Sequence, residues 1–139
     1  MKAKSTKEYV ERERERILSA CTQCGRCFEV CPMANYVEPD KASHDSRAVV
    51  GGILAILGDQ KGDAPSLSWA RFCMASGECV PACPESVNPM LMVRLARMIA
   101  SGGTGNDPQF KMVDDLAHFP RMRTFAQMQL SADEVDEWL

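Results

Sequence analysis

The chain has 139 residues and a mass of 15.4 kDa, which suits one compact domain with a modest core. A net charge of -3 and a pI near 5.4 give no general electrostatic pull toward nucleic acid, so DNA and RNA are set aside as partners. No apolar run approaches the roughly eighteen residues of a membrane span. The longest, AVVGGILAILG at 48–58, leaves a soluble protein that docks on a membrane only through a partner.

In chain order, the capping box Ser5-x-x-Glu8 opens a helix expected to run to about Ser19. Its middle reads ERERER, and the i,i+3 pairs Glu11 to Arg14 and Glu13 to Arg16 predict a solvated charged face. Tyr9, Val10, Ile17 and Leu18 form the other face. The segment from Ser46 to Leu57, closed by Gly58, is apolar nearly all round and predicts a helix buried between others, with Gly51 and Gly52 permitting close packing. Asn88 before Pro89 is an N-cap signal, so MLMVRLARMIA becomes a helix ending near Ser101. Asp107 and Pro108 repeat that signal, and Ser131-x-x-Glu134 opens a short last helix, ADEVDEWL. No segment alternates like a strand, so the fold class is all-α.

The loop SGGTGNDP at 101–108 lacks the strand and the lysine of a phosphate loop, and reads as a linker. It divides the chain into a helical domain at 1–101 and a helical C-terminal tail at 102–139, whose methionines and phenylalanines read as ordinary core, with a partner-facing surface as the alternative. The chain stops on Trp138 and Leu139 inside a predicted helix. Either that end docks on a partner, or it is the start of a missing region.

The chemistry lies in the cysteines. CTQCGRCFEVCP places Cys21, Cys24, Cys27 and Cys31 in a Cys-x2-Cys-x2-Cys-x3-Cys-Pro run, the spacing of bacterial ferredoxins. CMASGECVPACP puts Cys73, Cys79, Cys83 and Pro84 on the same marks, with Ser76 where the second cysteine would stand. Seven cysteines cannot all pair, and the N-terminus has no apolar signal region, so a reducing cytoplasm fits better than a disulfide framework. Zinc ordinarily takes two separated Cys-x2-Cys pairs, whereas close spacing lets one loop reach three iron corners before proline turns the chain away. His44 and His118 have no ligand spacing and read as structural.

In two-cluster ferredoxins the fourth cysteine of each run ligates the other cluster. Cys21, Cys24, Cys27 and Cys83 then hold a [4Fe-4S] cluster, which leaves Cys31, Cys73 and Cys79 for a second. Three thiolates are the complement of a [3Fe-4S] cluster, with Ser76 at a vacant position. The alternative is a second [4Fe-4S] cluster whose odd iron takes Ser76, Glu78 or water. Oxygen holds soft iron less well than thiolate does, which favours three irons. Phe28, Val30, Phe72, Met74 and Val80 are expected to form an apolar shell, and Arg26 and Arg71 lie beside the runs.

These runs, over roughly residues 15–100, resemble the helical dicluster ferredoxin domains of succinate dehydrogenase and fumarate reductase iron-sulfur subunits and of heterodisulfide reductase C subunits. In the first two, a later run Cys-x5-Cys-x3-Cys-Pro, matched here by Cys73, Cys79, Cys83 and Pro84, accompanies a [3Fe-4S] cluster. The chain lacks their N-terminal [2Fe-2S] domain and in size looks more like the heterodisulfide reductase C subunit, which usually carries two complete runs. The resemblance implies an α-helical ferredoxin with two cluster-binding loops. Its function would be that of an iron-sulfur subunit relaying single electrons in an oxidoreductase complex, with no catalytic residues of its own. Its expected partner is a flavoprotein or a Cys-Cys-Gly-domain subunit in a hetero-oligomer. The competing readings are the cluster-bearing segment of a split Cys-Cys-Gly-type reductase, and an iron-sulfur redox or oxygen sensor.

Overall fold

A computed structural model describes residues 2–37, 44–111, 116 and 118–138, apart from the side chains of residues 121 and 125. Among the described residues the secondary structure is helical throughout, in two compact units, 1–109 and 110–139. No helix among them is long and apolar enough to cross a membrane.

The first unit repeats one pattern twice: a lead helix, a cysteine loop, a four-residue helix, a proline, and a second long helix. The first pass is α1 (Thr6–Ala20), α2 (Arg26–Glu29), a 3-10 turn at Ala34–Tyr36 and α3 (Ser46–Leu57). The second is α4 (Ala64–Phe72), α5 (Cys79–Ala82) and α6 (Pro89–Ala100). Caps explain the starts. Ser5 accepts from the Glu8 amide at 3.2 Å, while Glu8 reaches back to the Lys4 amide at 2.7 Å. Asp45, Asp63 and Asn88 accept from Arg47, Ser66 and Leu91 amides at 3.0, 3.0 and 3.1 Å.

The core is the seam between α3, α4 and α6, where Ile53, Ile56, Leu57, Trp69, Met92 and Ile99 are fully or almost fully buried. Gly52 brings α3 onto the start of α4 so closely that a Cβ there would overlap the Ser66 side chain. Ser66 Oγ uses that approach to donate to the Val49 carbonyl at 2.9 Å. The close packing expected at this glycine is therefore present, and its partner is α4.

Arg14 departs from the solvated face expected of ERERER. Its side chain is buried, donating Nε to the Leu57 carbonyl at 2.6 Å and pairing with Glu11 at 3.0 Å and Asp59 at 2.5 Å. The Leu57 carbonyl belongs to the last turn of α3 and has no helical partner, so a buried guanidinium satisfies it. Arg16 similarly reaches the Val87 carbonyl at 3.1 Å.

The stretch 101–109 is stitched to the first unit. Gln109 donates its amide to Ala100 at 2.7 Å and its side chain to the Gln60 carbonyl at 3.0 Å, while the Gly62 amide donates to Gln109 Oε1 at 2.7 Å. No helix begins at Asp107 and Pro108, because the Gln109 amide returns to α6 instead of starting a new turn.

In the second unit α7 (His118–Gln127) and α8 (Ala132–Trp138) pack on each other, with Ala126 and Val135 buried. The capping box is formed: the Ser131 amide and then its hydroxyl each donate to the Glu134 carboxylate at 2.8 Å, which holds that carboxyl below its usual range, and the Glu134 amide donates back to Ser131 Oγ at 3.4 Å. The expectation that the tail's large apolar residues are core fails for Phe119 and Met128, 71% and 78% exposed. Met112, the Phe125 side chain and Leu139 lie outside the described residues.

Candidate iron-sulfur site

Each cysteine loop starts where a lead helix stops. Cys21 is the C-cap of α1, its amide donating to Ile17 at 2.9 Å, and Cys73 is the C-cap of α4, donating to Trp69 at 3.1 Å. Both loops then make the same pair of left-handed turns. Gln23 and Gly25 have φ 56 and 83, and Ala75 and Gly77 have φ 57 and 80. Left-handed conformations are costly for residues other than glycine, so their repetition at matched positions marks one loop design used twice. Ser76 stands between Ala75 and Gly77 as Cys24 stands between Gln23 and Gly25.

The loops differ in what covers them. Gln23 donates to the Arg47 carbonyl at 2.8 Å and lies against Gly51, and a Cβ on Gly25 would overlap Ser46. The first loop is thereby clamped to α3. A Cβ on Gly77 would meet open space among the described residues, and Met74, Ala75 and Ser76 are exposed.

Cys21, Cys24, Cys27 and Cys83 line one recess, walled by Val50 of α3 and Met92 of α6. Cys31, Cys73 and Cys79 line a second with Ser76, Trp69 and Val93 of α6. The fourth cysteine of each run thus lies with the first three marks of the other. His44 and His118 line neither recess. None of the seven thiols is in a disulfide. Of the expected apolar shell, Phe28 is buried and Phe72 half-buried, whereas Val30 at the end of α2, Val80 on α5 and Met74 in the loop before α5 are exposed. Arg26 is exposed and Arg71 half-buried.

The electrostatics suit a shared cationic load. Burial, then the neighbouring Cys21, pushes the Cys27 thiol up to about 12. Burial first and other thiols after it also raise Cys21 and Cys79. A group of half-buried thiolates that repel one another is stable only when protonated or neutralised by metal, so loading releases protons and strengthens as pH rises. Among the described residues no three His, Cys, Asp or Glu side chains converge as a single-ion site requires. The thiols instead rim two recesses, the arrangement in which each sulfur meets a different iron of a cluster.

Residues 20–88 match the family described as the 4Fe-4S dicluster domain. The chain carries a 4Fe-4S dicluster domain. The thiol set described above therefore belongs to a domain that binds iron-sulfur clusters. The chain is also 30% identical over 84 residues to a protein of Archaeoglobus profundus named as similar to the heterodisulfide reductase C subunit. That alignment covers 60% of this chain and 41% of the relative, so the chain spans about two fifths of the relative's length. No solved structure matches the chain.

The dicluster domain's internal repetition is the feature that sequence reasoning saw only in the cysteines. Its wider signal is present: Val50 and Val93, on α3 and α6, each wall one recess. Missed altogether was α4, announced by Asp63 as N-cap with Pro65 in the first turn. Missed too was Trp69 on α4, whose indole Nε1 donates to Cys31 Sγ at 3.3 Å.

Proposed function

We propose that the chain is an iron-sulfur electron-transfer subunit that relays single electrons within an oxidoreductase complex of the heterodisulfide reductase or succinate dehydrogenase kind. The observation that carries this reading is the sorting of seven unpaired thiols into adjacent recesses of four and three. Cys21, Cys24, Cys27 and Cys83 would hold a [4Fe-4S] cluster, and Cys31, Cys73 and Cys79 a [3Fe-4S] cluster. When bound, such groups supply one-electron oxidation and reduction.

The remaining roles fall to the chain. The α3 and α6 side chains Val50, Met92 and Val93 exclude water from the recesses, and N–H groups brought to the ligand sulfurs set how easily each accepts charge. The Val87 amide donates to Cys83 Sγ at 3.4 Å. Thiols of the two recesses feel one another, Cys27 with Cys79 and Cys79 with Cys83, which supports a short path between them. A second reading gives the Cys31 recess a [4Fe-4S] cluster with Ser76 Oγ as its fourth ligand, and the repeated loop geometry favours it. Against it, oxygen binds soft iron less well, and Ser76 Oγ already accepts from the Glu78 amide at 3.5 Å.

The relative's name supports a role within a multi-protein complex. The exposed Leu116, Phe119, Met128 and Trp138 support a docking role for the 102–139 tail. Seven free thiols support a reducing, cytoplasmic setting. Anaerobic affinity isolation from native cells is expected to bring down a flavoprotein or a Cys-Cys-Gly protein in stoichiometric amount. Isolation of the chain alone, with its clusters intact, would contradict the relay and favour a sensor.

A further inference from the structure

We infer that Trp69 sets the reduction potential of the second cluster by donating its indole N–H to the sulfur of Cys31, an inference that rests on the ligand set proposed above. Trp69 is 2% exposed, and its Nε1 lies 3.3 Å from Cys31 Sγ. A buried indole N–H needs an acceptor, and here the acceptor is a ligand sulfur rather than a carbonyl. The ring is fixed by Phe28, edge-to-face at a centroid distance of 5.2 Å and an angle of 89°. Phe28 follows Cys27, so the first run braces a side chain that acts on the second cluster.

The two recesses are unequal in this respect. Cys83, the crossing ligand of the first, takes its hydrogen bond from the Val87 backbone amide at 3.4 Å, whereas Cys31, the crossing ligand of the second, takes one from a side chain. An added electron places negative charge on the ligand sulfurs, and an N–H donor stabilises that charge. Its effect is to raise the potential of the cluster it touches. Trp69 is thus a positioning and tuning residue through which the second cluster is made a better electron acceptor than its ligands alone would make it.

Trp69→Phe keeps an aromatic ring against Phe28 and removes the donor. In redox titrations of the full chain followed by EPR, the second cluster's midpoint is expected to move to more negative potential while the first stays in place. An unchanged second midpoint, or equal shifts of both, would overturn the inference. A separate measurement covers a variant that fails to fold: pulsed EPR on wild-type protein labelled at the indole nitrogen. It is expected to show nitrogen coupling in the second cluster's signal that persists in Trp138→Phe, and the absence of such coupling overturns the inference. Wild-type protein with no second paramagnetic cluster in either redox state would instead sink the ligand set itself, and the tuning role with it.

Discussion

Cys83→Ala is expected to abolish the first cluster although Cys83 belongs to the second run, and Cys31→Ala to abolish the second although it belongs to the first. The recess linings motivate the crossing: Cys83 faces Cys21, Cys24 and Cys27, and Cys31 faces Cys73 and Cys79. Pro32 and Pro84 each follow a crossing cysteine and turn the chain away from it. Iron analysis with EPR reads the outcome, with a loss of roughly four irons for Cys83→Ala and roughly three for Cys31→Ala. If each variant instead lost the cluster of its own run, the ligand partition would be wrong. Cys83 is the C-cap of α5, and Cys31 lies just past the end of α2, where alanine leaves the Trp69 N–H without its sulfur acceptor, so circular dichroism of both variants is needed to show that the helices persist before the clusters are compared.

Ser76→Cys is expected to convert the second cluster to four irons. The backbone needs no rearrangement for this, since Ala75 and Gly77 hold φ 57 and 80 where Gln23 and Gly25 hold 56 and 83 around Cys24. Ser76 is exposed and Gly77 has open space around it among the described residues, so the larger sulfur meets no steric obstacle. Iron content should rise by about one per chain, and a signal of the oxidised protein should give way to a second cubane signal on reduction. A variant indistinguishable from wild type in both respects would mean that this loop does not aim residue 76 at the cluster.

Much of this was legible in local chemistry. The helices at Thr6 and Pro89 begin where caps and proline predict them, because an N-cap is a bond between near neighbours, and the apolar run closed by Gly58 marked the helix Ser46–Leu57. The cysteine spacing likewise carried the cluster chemistry within single loops. What escaped was long-range. Arg14 looked like half of an i,i+3 pair, and only the fold brings the Leu57 carbonyl to it. The cap signal at Asp107 was overridden by the return of the Gln109 amide to Ala100. Gly25 and Gly77 hint at left-handed turns, but Gln23 and Ala75 give no such hint, so the matched geometry around Ser76 appears only in the backbone. Trp69 carried no signal because a tryptophan four residues before a cysteine reads as core until its N–H is placed against a sulfur.

The central claim, two clusters held by four and by three thiolates, is tested most directly by EPR of the anaerobically purified protein before and after dithionite, with iron and zinc quantified. The account predicts a nearly isotropic signal in the oxidised protein, roughly seven irons per chain, and no stoichiometric zinc. An EPR-silent oxidised protein with roughly eight irons and two coupled cubane signals on reduction would contradict the three-thiolate site and make Ser76 or a neighbour a ligand.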